Sequence, residues 1–229
     1  MRYVIFLCAF LFVFSCSQKQ ELPSVQSLNT QTDTISYSLG ADIGENLKRQ
    51  QIDFDYDALI TGLVDAYETN QVKLDQTERR KAMMDLQQLI RDKATETTRD
   101  NLEEADAFLA KNKVENTDVK ETPTGLQYRV LRQGGGNSPS GKDKVKVHYA
   151  GRLLNGQEFD SSIARGNPAE FTLDRVIKGW TEGLQLMKEG DKFEFFIHPR
   201  LGYGSRSTPK IPGNSCLIFE VELIEVLES

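Results

Sequence analysis

Residues 144–160 read Lys-Val-Lys-Val-His-Tyr-Ala-Gly-Arg-Leu-Leu-Asn-Gly-Gln-Glu-Phe-Asp, and this stretch decides the fold of the C-terminal half. Val145, Val147 and Tyr149 occupy alternate positions, which places their side chains on one face of a β-strand. Asn155-Gly156 favours a tight β-turn. The stretch therefore predicts a β-hairpin with one buried face.

Shorter segments on both sides of this hairpin carry the same period of two. Alternating strands are predicted at 126–131, 169–173, 193–197 and 217–223, and one short helix is predicted at 179–187. Strands close in sequence and joined by short turns pair antiparallel. The fold class predicted for residues 120–229 is therefore α+β, with a curved antiparallel sheet wrapped around one short helix.

Five short blocks follow one another in this half of the chain. They are residues 147–151, 159–162, 176–180, 201–204, and 211–212 with 217–223. In order and approximate spacing they resemble the motifs of the FKBP-type peptidyl-prolyl cis-trans isomerases across residues 123–227. The resemblance implies an enzyme that accelerates rotation about X–Pro bonds in unfolded polypeptides, without a cofactor or a metal.

The resemblance also implies which residues form the site. Trp180 would form the floor of a pocket, and Ile211 would lie on the loop above it. The walls would be Tyr149, Phe159, Val176, Ile177 and Phe219. The backbone N–H of Ile177 would bind a substrate carbonyl, and the Tyr203 hydroxyl would approach the prolyl amide. Asp160 would hold nearby polar groups, including the Tyr149 hydroxyl.

Two features depart from the family pattern. Ala169 stands where many members place an aromatic pocket residue, and residues 205–210 lack the histidine that some members carry in this loop. We expect these differences to affect ligand affinity and substrate preference more than isomerase activity itself.

Such a pocket needs no nucleophile. Resonance stiffens the C–N bond of an X–Pro peptide and gives a rotation barrier of about 18–20 kcal/mol. Water stabilises the charge-separated planar amide more than the twisted one, so a dry aromatic pocket favours the twisted state. Each tenfold acceleration needs about 1.4 kcal/mol of selective stabilisation.

Charge and metal-ligating residues exclude two other classes. Residues 1–119 carry 13 Lys and Arg against 20 Asp and Glu, whereas residues 120–229 carry 15 against 14. Neither half has the dense basic face that nucleic-acid binding requires. Three cysteines and two histidines, none clustered, make a zinc site improbable.

The N-terminus predicts export. Arg2 precedes an apolar run at 4–14, which is too short to span a membrane as a helix. Residues 13–16, Val-Phe-Ser-Cys, resemble a bacterial lipobox, so residues 1–15 are interpreted as a signal peptide and Cys16 as a lipidated residue. Residues 16–32 would form a flexible tether. The alternative is an ordinary signal peptide with an incidental cysteine.

Residues 33–119 predict three helices. The first would be capped by Asp33 or Thr34, the second would cover 55–69, and the third would begin at the capping box of 75–78. The third helix would continue for about 35 residues, or about 50 Å, through an almost wholly polar stretch at 91–101. We expect this helix to act as a spacer between the first two helices and the isomerase domain.

The apolar rows of these helices exceed what a thin three-helix core can bury. Ile35, Leu39 and Ile43 recur every four residues on the first helix. Residues 37–40 resemble the N-terminal dimerisation domain of two-domain FKBP relatives of the macrophage infectivity potentiator group. We therefore expect a homodimer through residues 33–115.

Three functions from different classes remain open at this point. The chain is an active isomerase, a chaperone that binds proline-containing segments without turnover, or a structural envelope lipoprotein. The aromatic and polar residues of the five blocks favour the isomerase. Its expected location is the bacterial cell envelope, lipid-anchored on the periplasmic side of the outer membrane.

Overall fold

The computed structural model describes residues 27–50 and 52–227 of the 229-residue chain. The predicted signal peptide, Cys16 and most of the tether lie outside the described residues. The chain divides into two units, Met1–Arg49 and Gln50–Ser229. The second unit contains the whole C-terminal sheet together with two of the predicted N-terminal helices.

The described part of the first unit, residues 27–49, contains one helix, α1 (Gln31–Arg49). Its cap is Thr30, not Asp33 or Thr34 as the sequence suggested. The backbone N–H of Asp33 donates to Thr30 Oγ1 at 3.1 Å, and the backbone N–H of Thr30 donates to Asp33 Oδ2 at 2.9 Å. This reciprocal pair satisfies two N–H groups at the helix start, so the first turn begins three residues earlier than predicted.

Two further helices open the second unit. Helix α2 (Tyr56–Val64) begins at the Asp55 cap and continues into a π-helical turn at Asp65–Thr69, as the interval 55–69 predicted. Helix α3 (Gln76–Glu115) has 40 residues and begins with the predicted capping box, in which Asp75 and Glu78 each accept a backbone N–H of the other.

The C-terminal part of this unit is a seven-stranded antiparallel sheet. Its strands are β1 (Lys120–Glu121), β2 (Gln127–Arg132), β3 (Lys144–Leu153), β4 (Glu158–Ser161), β5 (Ala169–Thr172), β6 (Lys192–Ile197) and β7 (Leu217–Leu227). The sheet order is β1-β2-β6-β7-β3-β4, and β5 also pairs with β3. The hairpin predicted from residues 144–160 is formed by β3 and β4. Strand β1 has only two residues, too few for an alternating pattern to reveal.

One face of the sheet encloses helix α4 (Lys178–Leu184). Trp180 and Leu184 of the helix share a buried core with Phe195 and Val221 of the central strands. A Cβ at Gly183 would lie 2.6 Å from the ring of Phe195, so glycine lets the helix approach β6 closely.

The other face of the sheet is covered by the C-terminal part of α3. Ala105 and Leu109 of the helix pack with Phe196, Cys216 and Ile218 in a second buried cluster. These contacts cross the boundary that the sequence placed between residues 119 and 120. They explain why β6 has buried side chains on both faces, whereas a strand with one face in water alternates.

Within residues 27–50 and 52–227, no helix is both long enough and apolar enough to cross a membrane.

Candidate functional site

A cavity of about 990 Å³ opens between α4, the inner face of the sheet and the loop before β7. All nine pocket residues expected from the sequence line it. They are Tyr149, Phe159, Asp160, Val176, Ile177, Trp180, Tyr203, Ile211 and Phe219. The structure therefore brings together residues that are up to 70 positions apart in the chain (219 − 149 = 70).

Trp180 is the centre of the aromatic lining. Its ring lies 5.2 Å from that of Tyr149, 5.4 Å from that of Phe171 and 5.2 Å from that of Phe219, with interplanar angles of 88°, 85° and 79°. Edge-to-face packing of this kind fixes the neighbouring rings relative to one another. The first turn of α4 thus places the Trp180 ring among the aromatic side chains that line the cavity.

Gly151 of β3 allows two wall residues to meet. A Cβ at this position would lie 2.6 Å from the Phe219 ring and 2.7 Å from the Phe159 ring. The two rings pack edge to face at 5.3 Å. The absence of a side chain at Gly151 therefore leaves room for the two rings that form this wall of the pocket.

A polar corner of three residues lies beside the aromatic floor. The Tyr149 hydroxyl donates to Asp160 Oδ2 at 2.5 Å, as the sequence interpretation expected. Arg165 donates to Tyr149 Oη at 2.9 Å and also donates to Asp160 Oδ1. The pair Tyr149 and Asp160 comes from two adjacent strands, and Arg165 comes from the loop that follows β4.

These contacts fix the charge states at neutral pH. Burial would by itself raise the pKa of the Asp160 carboxyl, but hydrogen bonds from Tyr149 and Arg165 outweigh it, so that pKa lies below its usual value. Burial, and then the hydrogen bond to Asp160, raise the pKa of the Tyr149 phenol. A carboxylate and a neutral phenol therefore face the pocket together.

Two N–H groups in the pocket region have no acceptor within the described part of the chain. The backbone N–H of Ile177 makes no hydrogen bond among the described residues, whereas the Ile177 carbonyl accepts from the Trp180 N–H at 2.9 Å. The indole N–H of Trp180 is buried without a partner. The side chain of Tyr203 is partly exposed at the pocket edge. A backbone donor with no partner is what binding a substrate carbonyl requires.

The remaining histidines and the cysteine lie outside the pocket lining. His148 is partly buried, and its Nδ1 lies 3.1 Å from Ser162 Oγ. His198 caps the short helix Pro199–Leu201 and pairs with Asp106 of α3. Cys216 is buried.

Sequence reasoning missed several residues of the site, among them Phe171 of the pocket lining and Arg165 beside it. Phe171 lines the cavity and contacts Trp180, so it supplies an aromatic ring near the position where Ala169 provides none. Arg165 completes the polar corner. Phe171 could have been found from the alternation of residues 169–173, which puts residues 169 and 171 on the same face of a strand. Arg165 could not, because nothing in the local sequence distinguished it from a solvent-exposed arginine.

No group of three or more metal-ligating side chains occurs among residues 27–50 and 52–227.

An antiparallel sheet folded around one helix, with a tryptophan-floored pocket and a tyrosine–aspartate–arginine corner, defines a site of the FKBP type. The family described as "FKBP-type peptidyl-prolyl cis-trans isomerase" matches residues 135–224. The family described as "Domain amino terminal to FKBP-type peptidyl-prolyl isomerase" matches residues 32–130.

Individual relatives match over most of the chain. A "Probable FKBP-type peptidyl-prolyl cis-trans isomerase" of Haemophilus influenzae is 41% identical over 205 residues, covering 83% of this chain and 83% of the relative. An "Outer membrane protein MIP" of Legionella longbeachae is 39% identical over 205 residues, covering 87% and 88%. The crystal structure of FkpA from Escherichia coli superposes with a TM-score of 0.66 at 36% identity, covering 88% of this chain and 99% of that one.

The chain belongs to the FKBP-type peptidyl-prolyl cis-trans isomerases. It is an isomerase of two-domain form, with a helical N-terminal region followed by the FKBP domain.

Proposed function

We propose that the chain isomerises X–Pro bonds in unfolded or newly exported proteins through the pocket around Trp180. The carrying observation is that nine residues picked from separate sequence blocks line one cavity. In this assignment Trp180 supports the prolyl ring, and Tyr149, Phe159, Val176, Ile211 and Phe219 exclude water. Ile177 donates its free backbone N–H to a substrate carbonyl.

The chemistry follows from this lining. An apolar pocket removes the hydration that favours the planar amide, and this lowers the cost of twisting the C–N bond. The Tyr203 hydroxyl at the edge and the polar corner around Asp160 offer fixed hydrogen-bond groups whose orientation needs no rearrangement. Two or three such groups with desolvation supply several factors of ten at about 1.4 kcal/mol each.

A protease-free assay tests the assignment directly. NMR exchange spectroscopy on a short Leu-Pro peptide measures cis-trans interconversion, and a rate increase separates an isomerase from a chaperone that only binds proline segments. Tyr203→Phe should lower kcat/KM, whereas Tyr128→Phe, a tyrosine stacked on Phe193 outside the pocket, is the matched control. Unchanged kcat/KM in a folded Phe159→Ala, Asp160→Ala double variant would contradict the site.

We propose further that Cys16 carries lipid and holds the enzyme in the bacterial cell envelope, on the periplasmic side of the outer membrane. The apolar run at 4–14, ending next to Ser15-Cys16, supports this. The Legionella longbeachae relative is named an outer membrane protein. Intact-mass analysis of membrane-extracted protein should give an acylated chain beginning at Cys16. An unmodified terminus at another residue would contradict the proposal.

Residues 33–115 are proposed to form a homodimer that spaces two isomerase domains. Apolar side chains on all three helices support this, since they remain exposed within one chain: Ile35, Leu39, Leu59, Leu63, Tyr67, Met83 and Met84. Two pockets on one assembly would allow an unfolded client to be held while each pocket acts on it, which is the proposed basis of chaperone activity.

A further inference from the structure

The mouth of the pocket carries a marked excess of positive charge. Four cationic residues line the cavity, namely Arg175, Lys178, Arg206 and Lys210, against one carboxylate, Asp160. Asp160 is already paired with Arg165. The C-terminal half as a whole is nearly neutral, with 15 Lys and Arg against 14 Asp and Glu, so the excess is local to the pocket.

Three of these cations have no ion-pair partner among the residues that the structure describes. Arg175 lies 4.0 Å from Asp174. By contrast, Lys178, Arg206 and Lys210 have no carboxylate oxygen within 4.0 Å anywhere in the described ranges 27–50 and 52–227. All three side chains are exposed, so their charges face whatever enters the mouth.

The cations come from two different walls. Arg175 and Lys178 flank Val176 and Ile177 at the start of α4, whereas Arg206 and Lys210 lie on the loop between Tyr203 and Ile211. A polypeptide with its proline on Trp180 must leave the pocket past one or both of these walls. Its flanking residues therefore pass positive charge.

We propose that this mouth selects proline-containing segments with acidic side chains near the proline. The inference rests on the isomerase function and names its substrate class more narrowly. Opposite unit charges about 7 Å apart in water attract by about RT, which is about a threefold change in affinity for each pair. One or two such pairs predict about a three- to tenfold higher kcat/KM for an acidic segment at low salt.

The test compares peptides that differ only in charge. A Leu-Pro core is kept constant so that contacts in the pocket do not change, and the two residues on each side are all Glu, all Gln or all Lys. Exchange spectroscopy at low ionic strength should give a Glu-to-Gln ratio of kcat/KM of about three to ten, and a Lys-to-Gln ratio below one. At 1 M salt, where the screening length is about 3 Å, both ratios should approach one.

Variants assign the effect to the mouth. In the triple variant Lys178→Gln, Arg206→Gln, Lys210→Gln, the Glu-to-Gln ratio of kcat/KM should fall to near one. The matched control is the triple variant Lys120→Gln, Lys142→Gln, Lys188→Gln. It removes three exposed cations that do not line the cavity, and its Glu-to-Gln ratio should equal that of the native protein. Because each ratio is measured within one variant, a general loss of activity does not affect it.

Two outcomes overturn the proposal: a Glu-to-Gln ratio of one in the native protein at low salt, or an equal drop of that ratio in the control variant. Acceleration of the Gln peptide is the separate check on isomerase activity itself. If the Gln peptide is accelerated and the ratio is one, only the charge selection is wrong.

Discussion

At the scale of single residues, the polar corner shows how three side chains set one another's charge. Asp160 accepts hydrogen bonds from Tyr149 and Arg165, and the arginine also lies 5.6 Å from the centre of the Tyr149 ring. Removing any one member breaks two of the three hydrogen bonds that join these side chains at the edge of an apolar pocket, where an unmade hydrogen bond costs more than in water.

Isosteric substitution of a residue in this polar corner should therefore lower isomerase activity with little change in the shape of the pocket. We expect Asp160→Asn to reduce kcat/KM about three- to tenfold, since a hydrogen bond to a charged group contributes about 1.5–3 kcal/mol when buried and this carboxylate is partly exposed. Tyr149→Phe should have an effect of similar size. The double variant should cost less than the sum of both, because the two residues share one hydrogen bond. Additive losses would contradict the coupling.

The pH dependence of activity follows from the same corner. The pKa of Asp160 in the folded protein lies below its usual value of 3.8. A depressed pKa contributes stability above the unfolded value, and this stability is lost as the pH falls through the folded pKa. We expect kcat/KM to be level from about pH 5 to 8 and to fall only below about pH 4. An acid limb centred above pH 5 that disappears in Asp160→Asn would contradict this.

Cys216 gives a residue-scale prediction far from the pocket. Burial raises the pKa of its thiol to about 12 from an ordinary value of 9.0. Thiolate is the reactive form, so a three-unit shift lowers labelling about a thousandfold below pH 9. In a chain lacking residues 1–16, where Cys216 is the one cysteine left, a disulfide reagent at pH 8 should react only after urea is added. Rapid labelling of the native protein would show that the cluster on the outer face is open.

Individual residues also mark the limit of sequence reasoning. Tyr149, Asp160 and Trp180 were predicted as site residues because their blocks resemble family motifs, and the structure brings them together at one cavity. Phe171 and Arg165 were not identified. Their roles depend on which distant side chains the fold brings to them, and period-two patterning specifies a face without specifying the neighbours on it.

At the scale of elements, the β3–β4 hairpin and the starts of α2 and α3 were predictable, whereas the start of α1 and the packing between layers were not. The β3–β4 hairpin follows from alternation and the Asn155-Gly156 turn, and α3 follows from its capping box. The cover that α3 provides over Phe196 and Ile218 was not expected, because the sequence pattern of α3 predicted a polar spacer. Only its last turns combine Ala105, Leu109 and Asn112 as a buried row.

Polar contacts reinforce this cover. Asn112 donates to Gln127 Oε1 at 2.9 Å, and Gln127 donates to the Leu109 carbonyl at 2.8 Å, both in buried surroundings. Further along α3, Asn101 donates to the Gly213 carbonyl at 2.9 Å, and Asn214 donates to the Thr98 carbonyl at 3.1 Å. The helix thus holds the loop that carries Ile211 into the pocket.

A truncation series tests this arrangement. A chain beginning at residue 90 keeps every α3 contact with the sheet and should match the longer protein in short-peptide kcat/KM. A chain beginning at residue 120 exposes Phe196, Ile218 and Cys216, and we expect it to lose on the order of 3–6 kcal/mol of unfolding free energy. Urea denaturation measures the loss, and labelling of Cys216 reports the exposure.

A point variant separates packing from chain length. Leu109→Ala in the chain beginning at residue 90 should lose about 2–4 kcal/mol, because it leaves a cavity against Phe196. Equal stability of the two truncated chains would show that α3 contributes nothing to the isomerase domain.

At the scale of the whole molecule, the exposed apolar side chains of the N-terminal helices need a partner. Ile35 and Leu39 of α1 are 60% and 62% exposed, and Leu63 of α2 is 68% exposed. A row of large apolar side chains on one helix face is a feature of an interface rather than of a solvated surface. Light scattering on the soluble chain lacking residues 1–16 should therefore give twice the mass of one chain at micromolar concentration.

Breaking this pairing should change action on proteins and leave the chemistry intact. Leu39→Glu places a charge in the apolar row and should give a monomer, whereas Ala41→Glu, about 200° away around the same helix, should remain a dimer. Both should isomerise a short peptide at the same kcat/KM, because the pocket lies within residues 149–219 of one chain. On an unfolded protein with prolines far apart in sequence, the dimer binds a second proline as an intramolecular step, and its apparent affinity should exceed that of the monomer by at least about tenfold. A monomeric wild-type chain, or a Leu39→Glu monomer that acts on the unfolded protein as well as the Ala41→Glu dimer does, would show that the helical region has another role.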